Sequence, residues 1–207
     1  MNLPNKLTVS RFVLTAAFLW AMFSRFAYND TLALFFFCLA GITDFLDGHL
    51  ARQRKLITNF GILMDPLADK VMTCSAFVAL VERHALAPPP VTHLGLLAIC
   101  PRVVAWMVVI IVTRELAITG LRLLAASKNV VLAAENYGKH KTISQIVALI
   151  ALLLMEAYAE WPAGVQQYLA PWVPVFAQFA LWLTVILTAT SGILYLAKNR
   201  RLYLNDV

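Results

Sequence analysis

The hydropathy of this chain is organised in long apolar runs separated by short polar breaks. Six of these runs reach or approach the roughly 20 residues that cross a bilayer as a helix. They predict helices over residues 10–28, 31–51, 60–81, 101–126, 142–158 and 173–196. Between the third and fourth lies Pro88-Pro89-Pro90, then a short apolar stretch to Cys100. The fourth run opens at Pro101, a residue suited to a first helical turn. The first run is followed by Phe23, Ser24 and Arg25 rather than by a small-residue cleavage site, so it reads as a spanning helix and not a signal peptide. The pattern shows no internal repeat. The predicted fold class is an all-α integral membrane protein with six transmembrane helices, forming a single domain over 1–207.

Composition agrees with that pattern. The 207 residues are 61% hydrophobic and 14% charged, where a soluble domain carries about 25% charge. The net charge of +6 does not point to nucleic acid, because the basic residues sit in short segments between apolar runs. Lys6 and Arg11 mark the N-terminus, Arg52, Arg54 and Lys55 the second connection, Lys128, Lys139 and Lys141 the fourth, and Lys198, Arg200 and Arg201 the C-terminus. The alternate connections hold fewer, with Arg25, Arg83 and Arg102 near them. An even number of spans and this bias together place both termini in the cytoplasm. Trp161, Tyr168 and Trp172 cluster on the opposite side, as an interfacial belt does. Cys38, Cys74 and Cys100 lie in apolar runs without metal spacing and read as small apolar residues.

The acidic residues change the picture. Four of the eleven fall within residues 44–69, as Asp44, Asp47, Asp65 and Asp69. Carboxylates at membrane depth are costly and mark function by default. Asp44 and Asp47 are three apart and share one helix face; Asp65 and Asp69 are four apart and share another. The short connection between the second and third helices makes those helices antiparallel neighbours, so the two pairs meet. Four such carboxylates repel unless cations neutralise them, and an all-oxygen donor set favours Mg²⁺ or Mn²⁺. Two divalent ions there would bridge a phosphoryl group. Gly48 and Ala51 leave room on the aspartate face for a flat nucleobase, and Gly61 opens the facing helix. Arg52 ends that face with a guanidinium able to reach a diphosphate. Pro66 marks a helix start or a kink.

The order Asp44-x2-Asp47-Gly48-x2-Ala51-Arg52-x8-Gly61-x3-Asp65-x3-Asp69 resembles the complete signature of the CDP-alcohol phosphotransferases. The resemblance implies a six-helix fold, a homodimer, and a polar cavity open to the cytoplasm, in a bacterium at the inner membrane. It also implies that Asp44, Asp47 and Asp65 are metal ligands, and that Asp69 is both ligand and general base. Gly48, Ala51, Arg52 and Thr58 would contact the CDP part of a CDP-diacylglycerol donor. Asn5 and Thr8 resemble the family's N-terminal nucleotide-contacting segment. The acceptor hydroxyl would lose its proton to Asp69, attack the phosphorus bearing the diacylglycerol, and release CMP.

The segments 2–11, 114–122 and 138–142 resemble those of the phosphatidylglycerophosphate synthases, a branch of that family. That branch transfers the phosphatidyl group to sn-glycerol 3-phosphate. Charge supports the choice, because a dianionic phosphate needs cations and Arg114, Arg122, Lys139 and Lys141 supply them. Lys128, Lys198, Arg200 and Arg201 read instead as topology or lipid-headgroup charges. Glu115 pairs with a neighbouring cation. His49 and His140 lie beside the site without a signature position, and His84 and His93 fall on the far side with structural roles. Other acceptors, inositol phosphate or phosphatidylglycerol, remain alternatives. So does an ion- or proton-coupled transporter with the aspartates as relay, although Gly48 and Arg52 have no task there.

Overall fold

The computed structural model describes residues 3–54, 59–89, 91–94, 97–127 and 137–200, with side chains described at 9–43, 67–68, 70–89, 91, 99–125 and 141–200. The described chain is a helical bundle. Its long helices are α1 (Leu3–Phe23), α2 (Asn29–Arg54), α3 (Asn59–Leu86), α4 (Ala105–Ser127), α5 (Tyr137–Ala157) and α7 (Val173–Lys198). A 3-10 turn (Tyr158–Glu160) and the short α6 (Ala163–Leu169) connect the last two. At 1.5 Å per residue, helices of this length run about 30–40 Å, comparable to a bilayer core. Among the described residues, two helices, Lys141–Glu160 and Val173–Lys198, are long and apolar enough to cross a membrane. Val9–Phe23 and Asn29–Thr43 are shorter apolar helices.

The all-helical architecture expected from the sequence is present, and short elements between the runs, the 3-10 turn, α6 and a hairpin, add to it. The apolar stretch after the prolines is a small antiparallel hairpin of β1 (Thr92–Leu94) and β2 (Leu97–Ile99), with Thr92 opposite Ile99. Several helix boundaries also differ from the hydropathy: α1 spans Leu3–Phe23 rather than 10–28, α5 begins at Tyr137 rather than 142, and two others have a cause in the described contacts. Helix α3 continues to Leu86, because the polar residues that suggested its end, Arg83 and His84, are used inside the bundle. Helix α4 starts at Ala105 rather than Pro101, because the Val103 N–H donates to His84 Nδ1 (2.9 Å) instead of entering a helical ladder.

Side-chain contacts fix the direction of each helix. Phe18 of α1 meets Phe37 of α2, and Thr15 of α1 meets Met72 of α3. Arg83, near the end of α3, binds Asp30, near the start of α2. Helices α1, α3 and α5 thus run one way, and α2, α4 and α7 the other. The antiparallel relation of α2 and α3 is as expected, but their packing is less direct. Among the described residues α2 lies chiefly on α1 and α5, and α3 chiefly on α1 and α4, rather than on each other.

The core is built from Phe18, Phe77, Leu80, Ile111, Leu149, Leu152 and Leu181, all fully buried. Buried alanines at 21, 33, 40, 76, 79, 148, 151, 177 and 180 let the helices approach closely, the packing mode of helices in lipid. Outward positions carry large apolar side chains such as Val13, Trp20, Val109, Phe179 and Ile193.

One end of the bundle is tied by a polar network. Arg83 donates to Asp30 Oδ2 (2.6 Å) and pairs with Glu156 Oε2 (3.3 Å). His84 Nδ1 accepts from Val103, which leaves Nε2 to donate to Glu156 Oε1 (3.1 Å). Glu160 takes the backbone N–H groups of Asp30 (3.0 Å) and Thr31 (2.9 Å), satisfying donors at the start of α2. Trp161 Nε1 donates to Thr31 Oγ1 (2.9 Å), so it is a tether. His84 is structural, as expected.

Candidate active site

The polar network gives a ruler for the opposite end. Asp44 lies fourteen residues beyond Asp30 on α2, and Asp69 lies fourteen residues before Arg83 on α3. Asp30 and Arg83 are bonded, so at 1.5 Å per residue Asp44 and Asp69 stand level, each about 21 Å away. Asp47 and Asp65 are about one further turn along in the same direction. Both helices are continuous through these positions, and α3 runs through Pro66, seven residues after its start. Pro66 is thus neither a start nor a break; it leaves the Ile62 carbonyl without its helical donor.

The same register places the other sequence-derived residues. Asn5 and Thr8 are on the first turns of α1, and Gly48, Ala51 and Arg52 on the last turns of α2. Gly61 is on the first turn of α3, and Lys139 on the first turn of α5. All belong to the aspartate end. Thr58 lies outside the described residues, as do the side chains of the four aspartates, Asn5, Thr8, Gly48, Ala51, Arg52, Gly61, Lys139, His49, His93 and His140. Among the described side chains no group of acidic, histidine or cysteine residues is arranged to hold a metal. The backbone arrangement fits a divalent cation nonetheless. One carboxylate pair per helix, on two antiparallel helices at one level, is the all-oxygen donor set such ions take.

The described cations toward this end include Lys70 on α3, Arg114 and Arg122 on α4 and Lys141 on α5. Lys70, next to Asp69, bonds Thr119 of α4, and Thr119 Oγ1 donates back to the Glu115 carbonyl (2.7 Å). This contact sets α4 level with Asp69, with Arg114 toward the middle of the bundle and Arg122 toward the aspartate end. Glu115 is 9% exposed and Lys141 3%. Glu115 Oε1 accepts from Arg114 Nη1 (3.2 Å) and pairs with Lys141. Two of the four expected acceptor cations are thus brought onto one carboxylate, a trio with one net positive charge. Arg122 stands apart, with its guanidinium carbon 5.9 Å from the Tyr195 ring centre, within cation–π range.

Several participants were not marked by the sequence pattern. Arg11 was counted as a topology charge, yet it is 4% exposed. The Thr15–Met72 contact places it at the level of Ala68, beside Asp69. Glu115 pairs with a neighbouring cation as expected, but with two of them, Arg114 and Lys141. Ser191 and Gly192 of α7 contact Arg114 from a segment with no signature. Within the sequence, only the rarity of charge in apolar helices hinted at Arg11.

The model of the CDP-alcohol phosphatidyltransferase family matches residues 1–190. Three relatives each carry the name CDP-diacylglycerol–glycerol-3-phosphate 3-phosphatidyltransferase. One from Bacillus subtilis (strain 168) is 37% identical, with 96% of this chain and 95% of the relative covered. One from Haemophilus influenzae is 30% identical, covering 100% and 97%. One from Rickettsia felis is 27% identical, covering 98% and 97%.

Proposed function

This chain belongs to the CDP-alcohol phosphatidyltransferase family, and on that footing we infer that it moves the phosphatidyl group of CDP-diacylglycerol to sn-glycerol 3-phosphate. The products are phosphatidylglycerol phosphate and CMP. The observation that carries the reading is the level placement of Asp44 and Asp69 on antiparallel helices, at the end that also holds Arg114, Lys141 and Arg122. The names of the relatives support the donor and the acceptor.

The roles divide by position. Asp44, Asp47, Asp65 and Asp69 would hold two divalent ions, Mg²⁺ or Mn²⁺. When bound, such ions neutralise charge on the diphosphate and on the leaving CMP. Asn5, Thr8, Gly48, Ala51, Arg52, Thr58 and Gly61 line the nucleotide end of the donor, with small residues where the base lies flat. Arg114, Arg122, Lys139 and Lys141 face the acceptor phosphate. Asp69 removes the proton of the acceptor hydroxyl, and the oxygen attacks the phosphorus that carries the diacylglycerol. The bond from that phosphorus to the CMP oxygen breaks, and CMP departs. Most of the acceleration comes from positioning and charge, as in other phosphoryl transfers.

The whole chain, 1–207, is read as one domain of six membrane spans, working as a homodimer, with both termini and the site facing the cytoplasm at a bacterial inner membrane. Two helices already meet the length and hydropathy of a span, and the outward apolar side chains of α1 and α4 suit lipid. The test is CMP release by the purified chain supplied with CDP-diacylglycerol, glycerol 3-phosphate and Mg²⁺. Turnover should cease with EDTA and return with excess Mg²⁺ or Mn²⁺. Turnover that continues in EDTA would remove the metal from the proposal.

A further inference from the structure

We propose that Ser191 and Gly192, on α7, are positioning residues of the transfer: they seat the Arg114 side chain and so set how tightly the phosphorylated acceptor is held. The inference rests on the reading that Arg114 meets the acceptor phosphate. It adds a helix to which that reading gave no part, and Ser191 and Gly192 lie just past residue 190, where the family match ends.

Three contacts carry it. A methyl group on Gly192 would stand 2.8 Å from Arg114 Cγ and 3.6 Å from Arg114 Cβ. The first separation is shorter than carbon atoms adopt, so the stem of Arg114 lies in the space that a missing side chain leaves. Cγ is only two bonds from the backbone, so it cannot yield as the tip of a long side chain does. Relief needs a new χ1 rotamer or a wider gap between α4 and α7, and either carries the guanidinium away. At its far end the guanidinium is held twice. Ser191 Oγ donates its own proton to the Thr188 carbonyl (3.2 Å) and accepts from Arg114 Nη2 (3.3 Å). Arg114 Nη1 donates to Glu115 Oε1 (3.2 Å). Arg114 Nε is buried with no protein partner among the described residues. The seat therefore fixes the stem and two nitrogens and leaves a third donor to spare, which suits a planar cation prepared for an anion. Bound in this way, Arg114 loses little freedom when the acceptor arrives.

The test is a double-mutant cycle on the purified full chain, with CDP-diacylglycerol and glycerol 3-phosphate varied separately. Gly192→Ala should raise the KM for glycerol 3-phosphate about tenfold, the cost of a misplacement of under an ångström. The KM for the donor and the melting temperature should stay near those of the parent. In an Arg114→Ala background, where no Cγ remains to collide, Gly192→Ala should add nothing. Ser191→Ala introduces no bulk and guards against a folding defect in Gly192→Ala. It should raise the same KM about threefold, the low end of what one net hydrogen bond is worth, and again add nothing without Arg114. An equal effect of Gly192→Ala in both backgrounds would overturn the proposal, making Gly192 a helix-packing residue only. An acceptor KM raised by Arg114→Ala but untouched by both α7 substitutions would overturn it too. If Arg114→Ala itself leaves that KM unmoved, the acceptor reading of Arg114 falls, and this seat falls with it.

Discussion

Asp69 is the residue on which the proposed chemistry turns, because the proposal asks it both to hold charge and to accept a proton. Asp69→Asn keeps the size and loses the base. It should lower kcat by about two to four orders of magnitude, the usual worth of general base catalysis, while a CDP-diacylglycerol binding assay changes little. Full turnover in that variant would reassign the base. The cations behave differently. Arg114 is seated between Glu115 and Ser191, whereas Arg122 lies over a ring about two turns further toward the aspartate end. Arg114→Ala should therefore raise the KM for glycerol 3-phosphate more than Arg122→Ala, measured with donor saturating. The reverse order would place the acceptor phosphate nearer Arg122 than Arg114.

Legibility at this scale follows from cost. Four carboxylates in apolar helices are conspicuous, because burial there is expensive. Ser191 and Gly192 are not, because small residues are common in membrane helices and carry no charge. Arg11 fell between these cases; its charge was visible, but its burial depends on the contact between α1 and α3.

At the scale of elements, the helices were readable because apolar runs of this length have few other uses. Two of the boundaries that moved, the end of α3 and the start of α4, did so for one reason. Arg83 and His84 are polar, and hydropathy ends a span at polar residues, but here Glu156 and Asp30 from other helices complete them. Partners so far apart in sequence leave no local mark. The hairpin at 92–99 was hidden similarly, since its strands of three residues each are too short to show alternation. The network itself makes an energetic claim. Glu156→Ala leaves Arg83 with one partner fewer and His84 Nε2 with none. Both carboxylate and guanidinium are partly exposed, so the cost should be about 1–3 kcal/mol rather than the value of a fully buried pair. A fall of several degrees in melting temperature should follow. Activity per folded molecule at low temperature should be retained, since the network is about 21 Å from the aspartates. An unchanged melting temperature would show that the network does not tie the bundle.

At the scale of the molecule, the two ends of the bundle have separate tasks. One end is closed by paired charges, a capped helix and an aromatic tether. The other end gathers the aspartates, the cation trio and the start of α1. The polar network is what lets the second be positioned, since it sets α2 and α3 in register. The account's central claim is that this second end joins a phosphatidyl group to glycerol 3-phosphate. The most direct measurement supplies the purified chain with CDP-diacylglycerol, Mg²⁺ and equal amounts of glycerol 3-phosphate, inositol phosphate, serine and phosphatidylglycerol, and identifies the lipid product by mass. The account expects phosphatidylglycerol phosphate as the dominant product, formed in step with CMP. A different dominant lipid would contradict the acceptor, and no CMP with any of the four would contradict the transfer itself.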